Sequence, residues 1–324
     1  MARADILLDL VRAGARGDQA MFRKSLEALV AEERARQHHV LADRLAANLA
    51  VQSPVPQSPP TYRNGQNGEF FVELTPQRRL DDLILPRGVR SACDELVDEQ
   101  HRSDLLRAHN LEPRHRVLLA GPPGNGKTSL AEALADALTV PLLAVRYESV
   151  IGSFLGETAI RLSRLFDQVR TRRCVLFLDE FDVVGKERGD VHETGEIKRV
   201  VSSLLLQVDA LPSYVVIITA TNHPELLDRA VWRRFQLRLR LPPPRQAQAR
   251  EWFRRFEERL GTKLPVTQTT LARHLRGGSY SELEQFGLDV QRRYVLSLPN
   301  ANIKHIIDER LAQWRQRFSV RARM

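Results

Sequence analysis

From about residue 80 onward, short apolar runs alternate with stretches of helical periodicity. Arg116 to Ala120, Leu142 to Tyr147, Cys174 to Leu178 and Val215 to Thr219 are rich in Val, Ile and Leu and lack the strict alternation of a half-exposed strand. They predict strands covered on both faces. Gln236 to Leu241 predicts an edge strand. Helical patterns separate the runs, so the expected class is α/β: a doubly covered parallel sheet, with ligands at the carboxyl ends of its strands. After Pro242-Pro243-Pro244 the pattern turns almost wholly helical, which predicts a second, smaller helical domain over 242–324.

Upstream the pattern differs. Over residues 1–52, Met21, Phe22, Leu26, Leu29 and Val30, then Leu41, Leu45 and Leu49, recur at three- and four-residue steps, as on amphipathic helices. So short a helical segment buries little surface alone. It predicts either a hairpin that docks on a partner or an extension packed on its own catalytic domain. Four prolines in the eight residues Ser53 to Pro60 exclude helix and sheet interior and predict an extended spacer of roughly 25 Å at ~3.1 Å per residue, within a linker over 53–62. A turn and a short strand, Phe70 to Leu74, follow within 63–79. The α/β domain then spans 80–241.

At 324 residues, 43% hydrophobic and 27% charged, the composition is that of a globular chain with room for about two domains. No apolar run approaches the ~18 residues of a membrane span, and the expected location is cytoplasmic with no membrane partner. Cys93 and Cys174 lie far apart, without a CxxC or a neighbouring His cluster, and read as packing residues. The net charge of +9 invites a nucleic-acid reading. However, the arginine excess sits at 233–259 and 310–323 with Glu251, Glu257 and Glu258 interleaved at helical spacing, a pattern of solvated helix faces or subunit contacts.

The candidate chemistry begins at Gly121-Pro122-Pro123-Gly124-Asn125-Gly126-Lys127-Thr128, the G-x-x-x-x-G-K-[ST] spacing of a phosphate-binding loop. An apolar strand enters it and a helical segment, Ser129 to Leu138, leaves it, as the motif requires. Glycines let backbone N–H groups close around phosphate oxygens at the positive end of the helix. Lys127 adds a point charge and Thr128 a Mg2+ ligand. A phosphate-bearing ligand with Mg2+ is therefore expected here.

The apolar run 174–178 ends in Asp179-Glu180. Acids at the tip of a buried strand are costly unless they serve a ligand. Asp179 suits a Mg2+ held through water, and Glu180 suits a base or orienter for the water that attacks the terminal phosphate. A further strand leads to Asn222, whose amide can contact that water or the γ-phosphate. Arg233 and Arg234 follow about a helix length later, where a guanidinium can reach the nucleotide of an adjacent subunit.

The phosphate loop, LFLDEFD, ITATN and LDRAVWRRF, in this order, resemble the AAA family of ATPases, in the branch with the second region of homology. The resemblance runs from about Leu80 to the end. It implies a homo-oligomeric ring, usually a hexamer, with ATP at the subunit interfaces and hydrolysis coupled to remodelling a protein client. SFLGET, Ser153 to Thr158, resembles the first pore loop, with Phe154 at the position that grips a polypeptide. GGSYSELEQF, Gly277 to Phe286, resembles the lid segment that lacks a nucleotide-sensing arginine, with Ser279 and Glu282 where small and acidic residues are usual. Arg146 departs from the pattern, standing where an Asn that gates the catalytic glutamate is common. Residues 17–45, with the compact size, resemble ATPases encoded beside subtilisin-like serine proteases in bacterial plasmid-maintenance and phage-defence pairs, which implies a protease partner. The chain carries no G-x-S-x-G and no HExxH of its own.

Three functions fit these residues. One is a motor that drives Phe154-bearing loops against a polypeptide. Another is a nucleotide-controlled module that sequesters a partner through the N-terminal helices. The third, a DNA-directed ATPase, is supported by charge and opposed by the aromatic loop and the lid.

Overall fold

A computed structural model describes residues 70–150, 155–181 and 193–321 of the chain. The expected N-terminal helices, the proline-rich linker, Phe154 and most of the segment Gly185 to Glu196 lie outside the described residues. All described residues belong to one compact unit.

Six strands among them form one sheet: β1 (Phe71–Leu74), β2 (Arg116–Ala120), β3 (Leu142–Val145), β4 (Cys174–Leu178), β5 (Val215–Thr221) and β6 (Leu237–Arg240), in the order β1-β3-β4-β5-β2-β6. The five strands from β3 to β6 are mutually parallel. The sixth departs from the expected all-parallel sheet: β1 adds to the β3 edge antiparallel, with Phe71 opposite Val145. The strand read as running to Tyr147 stops at Val145, opposite Phe71 at the start of β1, and a short helix starts at Tyr147.

Period-two alternation divides the buried strand residues between two apolar layers. Leu118, Leu143, Leu176 and Ile217 face one layer, which also contains residues of α5 (Leu155–Val169), α6 (Glu193–Asp209) and α7 (Arg229–Arg234). Val117, Leu119, Val175, Phe177 and Ile218 face the other, with α1 (Arg87–His101) and α3 (Lys127–Leu138). Helices α2 (Ser103–Ala108) and α4 (Tyr147–Val150) are short connectors.

The C-terminal helices α8 (Gln246–Leu260), α9 (Gln268–His274), α10 (Tyr280–Leu296) and α11 (Ile303–Arg321) carry a third apolar core. Trp252 stacks on Phe256 at 5.4 Å, and Phe286 meets Phe253 and Trp314 edge-on. Gly287 is required here, since a Cβ would stand 2.7 Å from the Trp252 ring. Ile84, from the segment before α1, packs against this core.

Candidate functional site

The phosphate loop fills the step from β2 into α3, beside the carboxyl ends of β4 and β5. Its first glycine is fixed by crowding: the Gly121 N–H donates to Thr221 O at 3.2 Å, and a Cβ there would lie 2.2 Å from Leu241 O. Gly124 and Gly126 have φ of +73° and +83°, conformations that L side chains adopt only at a cost. Gly126 is the N-cap of α3, which therefore starts at Lys127, two residues before the expected helix.

Asn125 is buried and braces the loop from inside. Its Nδ2 donates to Pro122 O at 3.2 Å and Pro123 O at 3.3 Å. Lys127 is also buried, 6% exposed, with Nζ donating to Gly121 O (2.7 Å), Pro122 O (3.1 Å) and Asn222 Oδ1 (2.6 Å). The ammonium thus lies across the loop and joins the ends of β2 and β5. Thr128 Oγ1 donates to Asp179 Oδ2 at 3.1 Å, which brings the helix start to the end of β4. Ser129 Oγ accepts from Arg78 Nη1 at 3.0 Å.

Asp179 Oδ1 accepts from the Glu180 N–H at 2.9 Å. Glu180 has φ +48°, strained for a non-glycine residue by about 1 kcal/mol or more. The turn is held because the next residue, Phe181, is fully buried and its N–H donates to Ala220 O at 2.8 Å. Asp179, Glu180, Asn222, Lys127 and Thr128 thus converge on one end of the sheet.

Arg233 and Arg234 do not. They end α7 on the far side of β2: Arg233 is exposed, and Arg234 is ion-paired with Asp209 at the end of α6. Asp209 also accepts 2.7 Å from Arg116, the first residue of β2. Burial first and then the nearby Arg234 lower the Arg116 pKa from its ordinary value. Arg116 and Ala120 are separated by the length of β2, about 13 Å at ~3.3 Å per residue, and the phosphate loop starts beyond Ala120.

Several contributors were not picked out from the sequence. The start of α10 closes on the phosphate loop: the Ser281 N–H donates to Gly124 O at 2.9 Å, the Tyr280 N–H to Asn125 Oδ1 at 3.4 Å, and the Tyr280 hydroxyl to Ile84 O at 2.9 Å. Burial raises the Tyr280 pKa to about 12. Ser279 and Glu282, read only as lid-pattern residues, form a capping box. Glu282 Oε2 accepts from the Ser279 N–H at 2.7 Å, and the Glu282 N–H donates back to Ser279 Oγ. The S-x-x-E spacing carried that signal. Asp209, Gln236 and Arg78 left no local pattern to find.

Comparison with known proteins agrees with the geometry. Residues 117–243 match the family model described as ATPase family associated with various cellular activities (AAA). The chain is 33% identical to an uncharacterized AAA family ATPase of Sinorhizobium fredii over 291 residues, covering 88% of this chain and 87% of that one. It is 35% identical to an ATP-dependent zinc metalloprotease FtsH of Acidothermus cellulolyticus, but the match covers 55% of this chain and only 28% of the relative. A cell division cycle protein 48 homolog of Archaeoglobus fulgidus, also 35% identical, is spanned over 25% of its length. Among solved structures, the FIGL-1 AAA domain in complex with ADP aligns with a TM-score of 0.55 at 23% identity, over 74% of this chain and 84% of that one, a likeness of fold.

Proposed function

Because this chain belongs to the AAA family and is an ATPase, we propose that it works as a homo-oligomeric ring, a hexamer, in which ATP hydrolysis remodels a protein client. The observation that carries this reading is the separation within one protomer. Lys127, Thr128, Asp179, Glu180 and Asn222 gather at one end of β2, while Arg234 is held beside the other end. An arginine so placed serves a nucleotide only in a neighbouring copy.

In the proposed site the glycines and N–H groups of residues 121–129 hold the phosphates, and Lys127 moves from its carbonyl partners to phosphate oxygens. Thr128 and Asp179 fit a hard cation, since a hydroxyl and a carboxylate oxygen stand 3.1 Å apart, both hard donors. Mg2+ held there would offset phosphate charge. Glu180 deprotonates or orients the attacking water, and Asn222 positions it. Arg233 and Arg234 of the next subunit stabilise the charge that develops, a contribution of about 10³ to 10⁵ in rate for such arginines.

The FtsH and cell division cycle protein 48 likenesses support a polypeptide as the client. Phe154 is the proposed grip on it, residues 242–324 the proposed lid, and residues 1–52 the proposed docking segment. The partner we favour is a subtilisin-like serine protease in a bacterial defence or plasmid-maintenance pair, on the resemblance of residues 17–45.

Mixing tests the shared site. Lys127→Ala and Arg234→Ala should each be inactive alone, and together should recover a measurable fraction of parental ATPase. Specific activity should also rise with chain concentration. Full turnover by an isolated protomer would overturn the reading. For the client, Phe154→Ala should keep its ATPase but lose ATP-dependent unfolding of a tagged fluorescent protein.

A further inference from the structure

We infer that Gln236, two residues beyond the arginine pair, is a positioning residue that fixes Arg233 and Arg234 to the foot of β2. This rests on the reading of those arginines as groups offered to a neighbouring subunit. The Gln236 side-chain Oε1 accepts from the His115 N–H at 2.9 Å and from the Arg116 N–H at 3.1 Å, and its own N–H donates to Arg116 O at 3.0 Å. Two N–H donors converging on one atom require it to be the amide oxygen, so the orientation of the amide is dictated by its surroundings.

Three bonds from one residue matter because α7 cannot hold itself. At six residues it is far shorter than the ~12 to 15 an isolated helix needs. Its entry is capped by Asp228, which accepts from the Ala230 N–H at 3.0 Å. Its exit carries a 3.4 Å bond from the Phe235 N–H to Trp232 O and the Arg234 ion pair with Asp209, a carboxylate that also accepts from Arg116, before Gln236 is reached. Phe235 adds apolar anchorage, buried and edge-on to Phe181 at 6.1 Å, and Phe181 directly follows Glu180. Gln236 adds directional bonds to the backbone at the start of β2. It joins the arginine helix to the strand whose other end opens into the phosphate loop, so β2 runs between what a protomer does with its own nucleotide and what it offers the next.

A strand-end cap without this role would also lose stability when removed. The experiment therefore follows where the defect appears. Gln236→Met keeps the volume and removes the acceptor; Gln236→Glu keeps an acceptor for both N–H groups. In the full-length oligomer, Gln236→Met should bind nucleotide within about twofold of the parent while kcat falls at least tenfold at similar KM. Gln236→Glu should stay within about threefold. Mixed with Lys127→Ala, whose arginine helix is intact, Gln236→Met subunits should regain activity well above the average of the two separate preparations.

Parental kcat in Gln236→Met, or a mixture no better than that average, would overturn the inference. If Gln236→Met does not fold, Gln236→Asn, whose shortened amide cannot reach both N–H groups, takes its place under the same criteria. Arg234→Ala mixed with Lys127→Ala runs in parallel. If that pair fails to recover, the shared-site reading itself falls; if it recovers and the Gln236 pair does not, only the positioning role falls.

Discussion

Arg234 is ion-paired with Asp209, and the other oxygen of the same carboxylate accepts from Arg116. One acid therefore holds two guanidiniums side by side, and their side chains are only 37% and 22% exposed. Asp209→Asn leaves two unshielded positive charges together. The expected loss of stability is about 1 kcal/mol, below the range for fully buried charged hydrogen bonds because water still reaches the group. Urea unfolding measures it. The double change Asp209→Asn with Arg116→Met should cost less than the sum of the two single changes, because one of the repelling charges is gone.

Gly124 and Gly126 separate crowding from backbone strain. Both have positive φ, but a Cβ on Gly126 meets nothing within 4 Å, whereas one on Gly124 would stand 2.9 Å from Ser279 Oγ and from Ser281 Cβ. Gly126→Ala should lose about 1 kcal/mol, the left-handed penalty for a single residue. Gly124→Ala adds a collision with the start of α10 and should lose clearly more. It should also speed proteolysis between α9 and α10, which Gly126→Ala should not. Equal losses and equal cleavage rates in the two variants would contradict this assignment.

The limits of what the sequence conveys follow the same physics. Strand β4 is buried from end to end and β2 from Val117 onward, so the apolar runs predict the observed bounds. The run predicted to end at Thr219 stops two residues short of the strand's end, because the polar Thr221 is fully buried in β5 opposite Ala120. The phosphate loop was legible because its chemistry is contiguous in the chain. Tyr280, which reaches Ile84, and Gln236, which reaches His115, act across separations of more than a hundred residues, and no periodicity encodes them. The antiparallel β1 was legible as a strand, but its partner was not.

Cys93 and Cys174 should be inert in the folded chain. Both are fully buried, and burial pushes each thiol up to about 12, so almost no thiolate exists at neutral pH. A thiol reagent at pH 8 should label neither residue within minutes, and both after unfolding in guanidinium. Rapid labelling of Cys174 in the native protein would mean that the start of β4 opens.

Tyr280→Phe removes the hydroxyl that donates to Ile84 O while keeping the ring. The expected cost is about 1 kcal/mol, the usual net value of one hydrogen bond, with Ile84 O left short of a donor. Because the bond joins α10 to the segment before α1, amide exchange should rise at both places together. A rise confined to α10 would show that the two are not coupled through this contact.

Asn222 offers the sharpest test of the site. Its Oδ1 accepts 2.6 Å from Lys127 Nζ, yet Lys127 also donates to Gly121 O and Pro122 O. Removing the amide therefore leaves a buried ammonium with carbonyl partners, and phosphate binding by the loop should survive. Asn222→Ala is expected to change ATP affinity by no more than about threefold. If Asn222 also orients the attacking water, kcat should fall by about tenfold or more, since positioning groups of this kind act on the chemical step. Isothermal titration with a slowly hydrolysed ATP analogue and steady-state kinetics separate the two. An Asn222→Ala chain that loses ATP binding but, at saturating ATP, turns over at the parental rate would reassign Asn222 from the reaction to the upkeep of Lys127.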